Sequence, residues 1–160
     1  MTIPLIHICL LGLVLLLPPD DFAYAAETVP PAKQPWQILA LAQKLEAQKK
    51  YAEAAAAYEE YLFLRPANDK ARLALGKIRL AQQNFGEARK HFEEIASKDL
   101  TNHAARRGFA DALYLGGQPA LALKEYESLY AETKDPEIAD QISKVTGGME
   151  KPAAAPQEPT

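Results

Sequence analysis

This 160-residue sequence contains only one cysteine, Cys9, which lies close to the N-terminus. The pattern described below predicts that this N-terminal segment is removed, which leaves a chain without a thiol. Such a chain has no disulfide, no thiolate metal ligand and no cysteine nucleophile. An oxidising compartment is compatible with that composition.

An excess of charge of either sign is also missing. The chain has 18 Lys and Arg residues against 21 Asp and Glu residues, a formal net charge of −3. Two of the acidic residues, Asp20 and Asp21, lie within the first 25 positions, which contain no Lys or Arg. The remainder has 18 basic against 19 acidic residues and a net charge of −1. This balance gives no electrostatic reason to expect nucleic acid or an anionic membrane surface as a partner.

Long apolar runs are absent apart from one, Ile3 to Leu17. As a helix this run would span about 22 Å, which is shorter than the roughly 30 Å hydrocarbon core of a bilayer. The run is followed by Ala23-Tyr24-Ala25, the small-x-small pattern of a signal-peptidase site. We therefore predict that residues 1–25 form a signal peptide cleaved before Ala26, and that the protein is exported to the periplasm or secreted.

A retained membrane anchor is the alternative for the N-terminal segment. No Lys or Arg precedes the apolar run, so only the terminal amine supplies the positive charge expected there. The protein would contact a membrane only if this segment stays uncleaved.

Prolines mark the two edges of the remaining chain. Pro30 and Pro31 lie in the segment 26–34, which predicts an extended linker. Three further prolines lie in the segment 149–160, which predicts a disordered tail. The middle is rich in Ala, Leu, Glu, Lys and Gln, all good helix formers, and is predicted to be entirely helical.

Apolar spacing and the helix start and stop residues predict seven helices in this middle region. The predicted ranges are Pro35 to the break at Lys49-Lys50, Tyr51 to Leu64, Asp69 to Ala81, Phe85 to Ser97, Asn102 to Leu115, Pro119 to Glu132, and a capping helix over 137–148 that Pro136 opens and Gly147-Gly148 ends. Asp69 and Asn102 are predicted to be N-caps. On the capping helix, an apolar face of Ile138, Ile142 and Val145 is expected to close the end of the array.

A fixed period organises these helices. Three alanines are equally spaced along the chain, and an aromatic residue follows each of them four positions later. The pairs are Ala54 with Tyr58, Ala88 with Phe92, and Ala122 with Tyr126. The interval from one alanine to the next is named here the repeat period. A constant interval of this length indicates a stacked array, and we assign its units to residues 35–68, 69–102 and 103–136.

The repeat resembles the tetratricopeptide repeat family, whose unit follows W-x2-L-G-x2-Y…A-x3-F…P. At these positions the first unit has Ile38, Leu41-Ala42, Leu45, Ala54, Tyr58 and Pro66. The second unit has Arg72, Leu75-Gly76, Arg79, Ala88 and Phe92, with Leu100 where proline is usual. The third unit has Arg106, Phe109-Ala110, Leu113, Ala122 and Tyr126. The resemblance implies an all-α fold: a right-handed α-solenoid of three helix–turn–helix repeats plus the C-terminal capping helix. It also implies protein–protein binding through a concave groove.

In this family the first helix of each unit lines the concave groove. Carried over to this sequence, the partner-binding residues would be Leu39, Gln43, Glu46, Lys70, Leu73, Lys77, Leu80, Arg107, Asp111, Tyr114 and Leu115. Their mixture of apolar and charged side chains suits an amphipathic helix or an extended peptide. Leu73 and Leu80 could instead only pack between repeats.

One known specialisation of the family is missing. Members that bind the acidic C-termini of cytosolic chaperones use Lys, Asn and Arg at set groove positions. The matching positions here are Leu39, Gln43, Ala74, Ala104 and Gly108. That carboxylate clamp is therefore not expected.

Three arginines, Arg72, Arg79 and Arg106, occupy positions that are commonly aromatic or apolar. In one interpretation their aliphatic stems cover the neighbouring helix and their guanidinium groups reach water. In the other they form a basic strip beside the groove that pairs with acidic residues of a partner.

Catalysis is not expected, and we predict no catalytic, cofactor-binding or metal-binding residue. His91 and His103 belong to different repeats, with His91 expected at the solvated surface and His103 at a helix start. No spacing of His, Asp and Glu matches a metal site. The pairs Glu59-Glu60 and Glu93-Glu94 recur with the repeat and are expected to be solvent-face charges.

The function expected from these features is that of a small exported bacterial-type adaptor. It would bind a peptide or helix of another protein and serve an envelope assembly such as a pilus, a secretion system or a polysaccharide exporter. One alternative is a structural module that associates with copies of itself and leaves the groove idle. Another is a membrane-tethered accessory subunit with an uncleaved N-terminal helix.

Overall fold

The computed structural model describes residues 33–150; the predicted signal peptide, most of the predicted linker and residues 151–160 of the predicted tail lie outside this range. The described residues form seven α-helices and no strand. The helices are α1 (Pro35–Ala47), α2 (Tyr51–Leu64), α3 (Asp69–Ala81), α4 (Phe85–Lys98), α5 (His103–Leu115), α6 (Pro119–Thr133) and α7 (Pro136–Glu150).

Each helix packs on the next one along the chain, and the first helices of the second and third repeats, α3 and α5, also touch. The result is three helix–turn–helix pairs followed by α7. This confirms the predicted all-α array of helix–turn–helix repeats.

Asparagine side chains start the inner helices of the array. Asn68 accepts a hydrogen bond from the backbone N–H of Ala71 at 3.0 Å, and Asn102 accepts one from Ala105 at 3.1 Å. Each bond satisfies an N–H that the helix leaves without an internal partner. The cap of α3 is therefore Asn68 and not Asp69 as predicted, because the Asn68 side chain closes the helix one residue earlier.

The turns inside the three repeats share one backbone conformation. Lys49, Gln83 and Gly117 have φ angles of 58°, 60° and 79°, and they are separated by one repeat period each. Only Gly117 adopts this left-handed conformation without steric cost. The turn geometry is thus kept in all three repeats although only the third has the residue that favours it.

The predicted small and aromatic pairs form the centre of each repeat. Ala54, Ala88 and Ala122 are fully buried, and so are the aromatic residues four positions later, Tyr58, Phe92 and Tyr126. The period therefore marks the buried centre of each repeat.

The ring of Phe92 fills the space between α3 and α5. A Cβ added to Gly76 would lie 2.7 Å from Cε1 of Phe92, and one added to Gly108 would lie 2.6 Å from the same atom. Real Cβ contacts are not this short, so both glycines are needed for the ring to fit. The second repeat is therefore built around one aromatic ring held between two glycines.

Two of the three unusual arginines form an ion pair within their own repeats. Arg106, only 9% exposed, donates from Nη1 to the carboxylate of Glu132 at 2.7 and 2.8 Å and from Nη2 to Ser128 Oγ at 3.0 Å. Arg72 donates to the Pro66 carbonyl at 2.5 Å, and its Nη1 lies 2.7 Å from Glu94 Oε2. Neither sequence-based interpretation is correct for them, because each guanidinium forms an ion pair with a carboxylate of the following helix.

The third arginine, Arg79, joins the first repeat to the second. Its guanidinium donates to Glu59 on α2, and its Nε lies 2.9 Å from Glu87 on α4. The recurring glutamates are therefore more than solvent-face charges, because Glu59 and Glu94 both pair with arginines of α3.

His91 also departs from its prediction as a solvated residue. It is half-buried on α4, and the pKa of its imidazole is lowered by burial and by the nearby guanidinium groups of Arg72 and Arg79. The neutral imidazole is thus favoured at this position.

The last helix closes the array through the predicted face. Ile138 and Val145 are buried, and Ile142 packs against the same cluster, which includes Tyr126 and Leu129 of α6. Gly147 and Gly148 do not end α7, because neither takes the positive φ of a left-handed cap. Among the described residues, no helix combines the length and apolar character needed to cross a membrane.

Candidate functional site

A groove of about 660 Å³ opens between α3, α5, α6 and α7 and is named here the inner groove. Its floor is formed by Leu80, Phe92, Gly108, Leu129 and Ile138. The residues around the floor, named here the rim, are Lys77, His103, Ala104, Arg107, Asp111, Thr133 and Asp135.

The floor is apolar where α5 carries Gly108, because the missing Cβ lets the buried ring of Phe92 pack directly against the α5 backbone. Buried Leu129 and Ile138 continue the apolar lining toward α7. The packing that holds Phe92 between two glycines therefore also shapes the groove.

Two rim residues are held in place by neighbouring side chains. Asp111 accepts a hydrogen bond from the Tyr126 hydroxyl at 2.5 Å. Burial and this bond raise the pKa of Tyr126 well above its usual value, so the hydroxyl stays protonated and remains a donor. Arg107 Nη1 donates to Glu137 on α7 at 2.6 Å, and this bond raises the pKa of the guanidinium.

The remaining rim charges point to what the groove can bind. Lys77 is exposed and forms no ion pair with any residue between 33 and 150. His103 is half-exposed, with Nε2 3.8 Å from Glu132. Asp135 accepts a hydrogen bond from the Glu137 backbone N–H at 2.9 Å. Lys77 is therefore the cation most available to a ligand.

Four of the predicted groove residues line the inner groove: Lys77, Leu80, Arg107 and Asp111. The half-buried Leu73 packs against the cluster of Phe92, as its alternative interpretation allowed. Leu80 packs against the same cluster and also reaches the groove.

The predicted residues of the first repeat do not take part in the inner groove. Leu39 packs against the core of α1 and α2, Gln43 is exposed, and Glu46 accepts a hydrogen bond from the Tyr58 hydroxyl at 2.5 Å. Lys70 lines a separate cavity beside the connection between α2 and α3.

At the other end of the array, Tyr114 packs against the α6–α7 cluster, and Leu115 is exposed outside the groove lining.

Sequence reasoning missed the contribution of α6 and α7. Ile138 lies one repeat period after Ala104, which itself lies one repeat period after Lys70. The predicted register stopped at residue 136 and therefore left out a residue of the groove floor. Leu129 and Thr133 had no comparable signal, because they belong to the second helix of a repeat.

The described side chains include no group of three or more His, Cys, Asp and Glu residues placed to hold a metal ion. What the inner groove offers is an apolar floor, a fixed carboxylate at Asp111 and an available ammonium group at Lys77. This combination suits the side chains of a peptide or helix.

A model of the tetratricopeptide repeat matches residues 39–99 and again residues 73–137. No curated protein gives a match to this sequence.

Several solved structures have the same fold. The first tetratricopeptide repeat domain of Spaghetti (RPAP3), bound to an HSP90 peptide, is 17% identical with a TM-score of 0.66, covering 72% of this chain and 92% of that chain. The second such domain of human RPAP3, in complex with an HSP70 peptide, is 18% identical with a TM-score of 0.63. The match covers 71% of this chain and 98% of that chain. The Yersinia enterocolitica type III secretion translocator chaperone SycD is 19% identical with a TM-score of 0.64. The match covers 76% of this chain and 99% of that chain.

Proposed function

The chain belongs to the tetratricopeptide repeat family, and we propose that it is a non-enzymatic adaptor that binds a segment of another protein in the inner groove. The observation that carries the proposal is the inner groove of about 660 Å³, whose apolar floor lies beneath a rim of both charge signs. The two RPAP3 domains of similar fold hold peptides, which supports a peptide or helix as the ligand class.

The rim indicates what such a segment would carry. An apolar side chain would lie over the floor between Leu80 and Ile138. An acidic group of the partner would pair with Lys77, because that ammonium group has no ion-pair partner among the described residues. A hydrogen-bond donor would face Asp111. Arg107 is already paired with Glu137 and would contribute less to binding.

Binding without catalysis is the role that the side chains support. Asp111 is engaged by Tyr126 and Arg107 by Glu137, so these two charged groups are held in fixed positions. His103 lies at the rim, and within residues 33–150 no serine or cysteine lines the groove with it.

We further propose that the protein acts in the cell envelope, in the assembly of a pilus, a secretion system or a polysaccharide exporter. This part rests on the sequence, namely the apolar run from Ile3 to Leu17 and the Ala23-Tyr24-Ala25 pattern. Mass spectrometry of the protein recovered from cells tests it. An N-terminus at Ala26 is expected, and an intact Met1 would favour the tethered accessory subunit.

Photo-crosslinking tests the binding site. A photoreactive amino acid placed at Ala104, an exposed position on the groove lining, should crosslink to the partner in the native envelope. The matched control is Ala131, an exposed alanine of α6 outside the groove. Equal crosslinking from both positions would show that the inner groove is not the binding site.

A steric variant provides the complementary measurement. Ala104→Arg places a long side chain over the groove without disturbing the core, and it should abolish recovery of the crosslinked partner. Ala131→Arg should leave recovery unchanged. Full recovery with Ala104→Arg would rule out the inner groove.

A further inference from the structure

A second groove lies on the opposite face of α5 and is named here the outer groove. It consists of two adjoining cavities of about 310 and 200 Å³ that share Glu93, Phe109 and Glu125. On α5 the outer groove uses Arg106, Phe109 and Leu113, whereas the inner groove uses Ala104, Arg107, Gly108 and Asp111. At 3.6 residues per turn, these two sets lie on opposite sides of the helix.

The corresponding space between the first and second repeats is filled. Arg79 spans it by binding Glu59 and Glu87, and Leu62 is buried there.

One repeat period further along the chain, Leu113 replaces Arg79, Leu121 replaces Glu87 and Ala96 replaces Leu62. At the place where the outer groove lies, these three changes replace the guanidinium that bridges Glu59 and Glu87 and a larger buried side chain.

The outer groove has exposed apolar surface and two acidic side chains without partners among the described residues. Leu121 is 54% exposed and Leu100, which lines the smaller cavity, is 70% exposed. Glu93 and Glu125 form no ion pair or side-chain hydrogen bond with any residue between 33 and 150. The groove therefore suits a ligand that brings an apolar group beside a positive charge.

The chain itself carries such a group. Phe63 is 87% exposed at the end of α2, and Arg65, two residues later, is exposed and forms no ion pair among the described residues. We propose that the outer groove receives Phe63 and Arg65 of a second copy of this chain, with the Phe63 ring against Phe109 and Leu121 and the Arg65 guanidinium facing Glu93 and Glu125.

Phe63 lies on the correct side of the array for this contact. Its counterpart in the second repeat is Ser97, which lines the smaller cavity. Phe63 and the outer groove therefore share one face of the molecule and are offset by about one repeat. A two-fold axis between them places each Phe63 on the outer groove of the other copy, which gives a closed, self-complementary dimer.

The charges of the groove also fix where Arg65 lies. Arg89 and Lys124 line the larger cavity and would repel it, whereas the only cation of the smaller cavity, Arg106, is bound to Glu132 and Ser128. Arg65 therefore enters at the smaller cavity. Two rings and two ion pairs per dimer make a small interface, so association in the micromolar range is expected.

Sedimentation velocity of the protein as recovered from expressing cells, from about 1 µM to about 1 mM, tests the proposal. A monomer–dimer equilibrium is expected. Phe63→Ala should weaken it about 100-fold, because each dimer loses two buried rings. The matched control is Leu115→Ala, which removes a similarly exposed apolar side chain outside both grooves and should leave the equilibrium unchanged.

Charge reversal distinguishes this specific contact from nonspecific association. Glu93→Lys should weaken the dimer, and adding Arg65→Glu to it should restore association. Thermal unfolding of each variant checks that the fold is kept. A monomer at all concentrations, or a dimer indifferent to both Phe63→Ala and Glu93→Lys, would overturn the proposal. The inner groove is tested separately, since Ala104→Arg should not change the dimer.

Discussion

The ring of Phe92 occupies the space that a side chain at Gly108 would need, since a Cβ there would lie 2.6 Å from Cε1 of the ring. This contact joins two consecutive repeats and sets the floor of the inner groove. Stability and binding are therefore coupled at one position.

Gly108→Ala should destabilise the protein by roughly 1–3 kcal/mol, because the added methyl group overpacks a fully buried ring. Urea unfolding measures the change. The matched control is Gly86→Ala on α4, where nothing lies within 4 Å of an added Cβ; it should raise stability by about 0.5–1 kcal/mol. Similar effects of the two variants would contradict the Phe92 packing.

The turns inside the repeats give a second comparison. Gln83→Gly should stabilise the protein by about 1 kcal/mol, because Gln83 holds a φ of 60° that costs every residue with a Cβ. Gly117→Ala should destabilise it by a similar amount, since the site is open and the backbone conformation is the only penalty. Thermal unfolding of both variants checks the opposite signs, and a common sign would mean that the turns are not equivalent.

The bond between Arg106 and Glu132 should make stability depend on pH. This bond lowers the pKa of Glu132 below its usual value. A carboxylate with a lowered pKa in the folded state adds stability above its unfolded pKa and loses it as the pH falls through its folded pKa. The wild type should therefore be more stable than Glu132→Gln at neutral pH, and the difference should vanish in acid.

Chemical unfolding of both proteins across that pH range is the measurement. Glu60→Gln serves as the control, because Glu60 is exposed and forms no ion pair among the described residues. A difference between wild type and Glu132→Gln that persists below the pKa of Glu132 would show that the ion pair is not its origin.

The sequence predicted the parts of the fold that depend on local spacing. The period of Ala54, Ala88 and Ala122 identified the buried centre of each repeat, because the same core position recurs at a fixed interval. The face of α7 was predicted for the same kind of reason, since Ile138 and Val145 follow helical spacing.

Contacts between distant side chains could not be predicted in this way. Arg106 was assigned to water or to a partner because its carboxylate, Glu132, lies 26 residues away on another helix. The part of the inner groove formed by α6 and α7 was missed for a related reason, since it depends on how these helices pack beside α5. Periodicity identifies which residues repeat, whereas the contacts that Leu129 and Ile138 make in the groove depend on how their helices pack.

The two junctions between repeats differ in one respect. Both contain buried apolar packing, since α2 and α3 share one apolar cluster and Phe92 joins the second repeat to the third. The first junction also contains an ion pair, between Arg79 and the half-exposed carboxylate of Glu59, which dissolved ions screen. Rising ionic strength should thus weaken the first junction slightly, while the two repeats that form the inner groove remain folded as one unit.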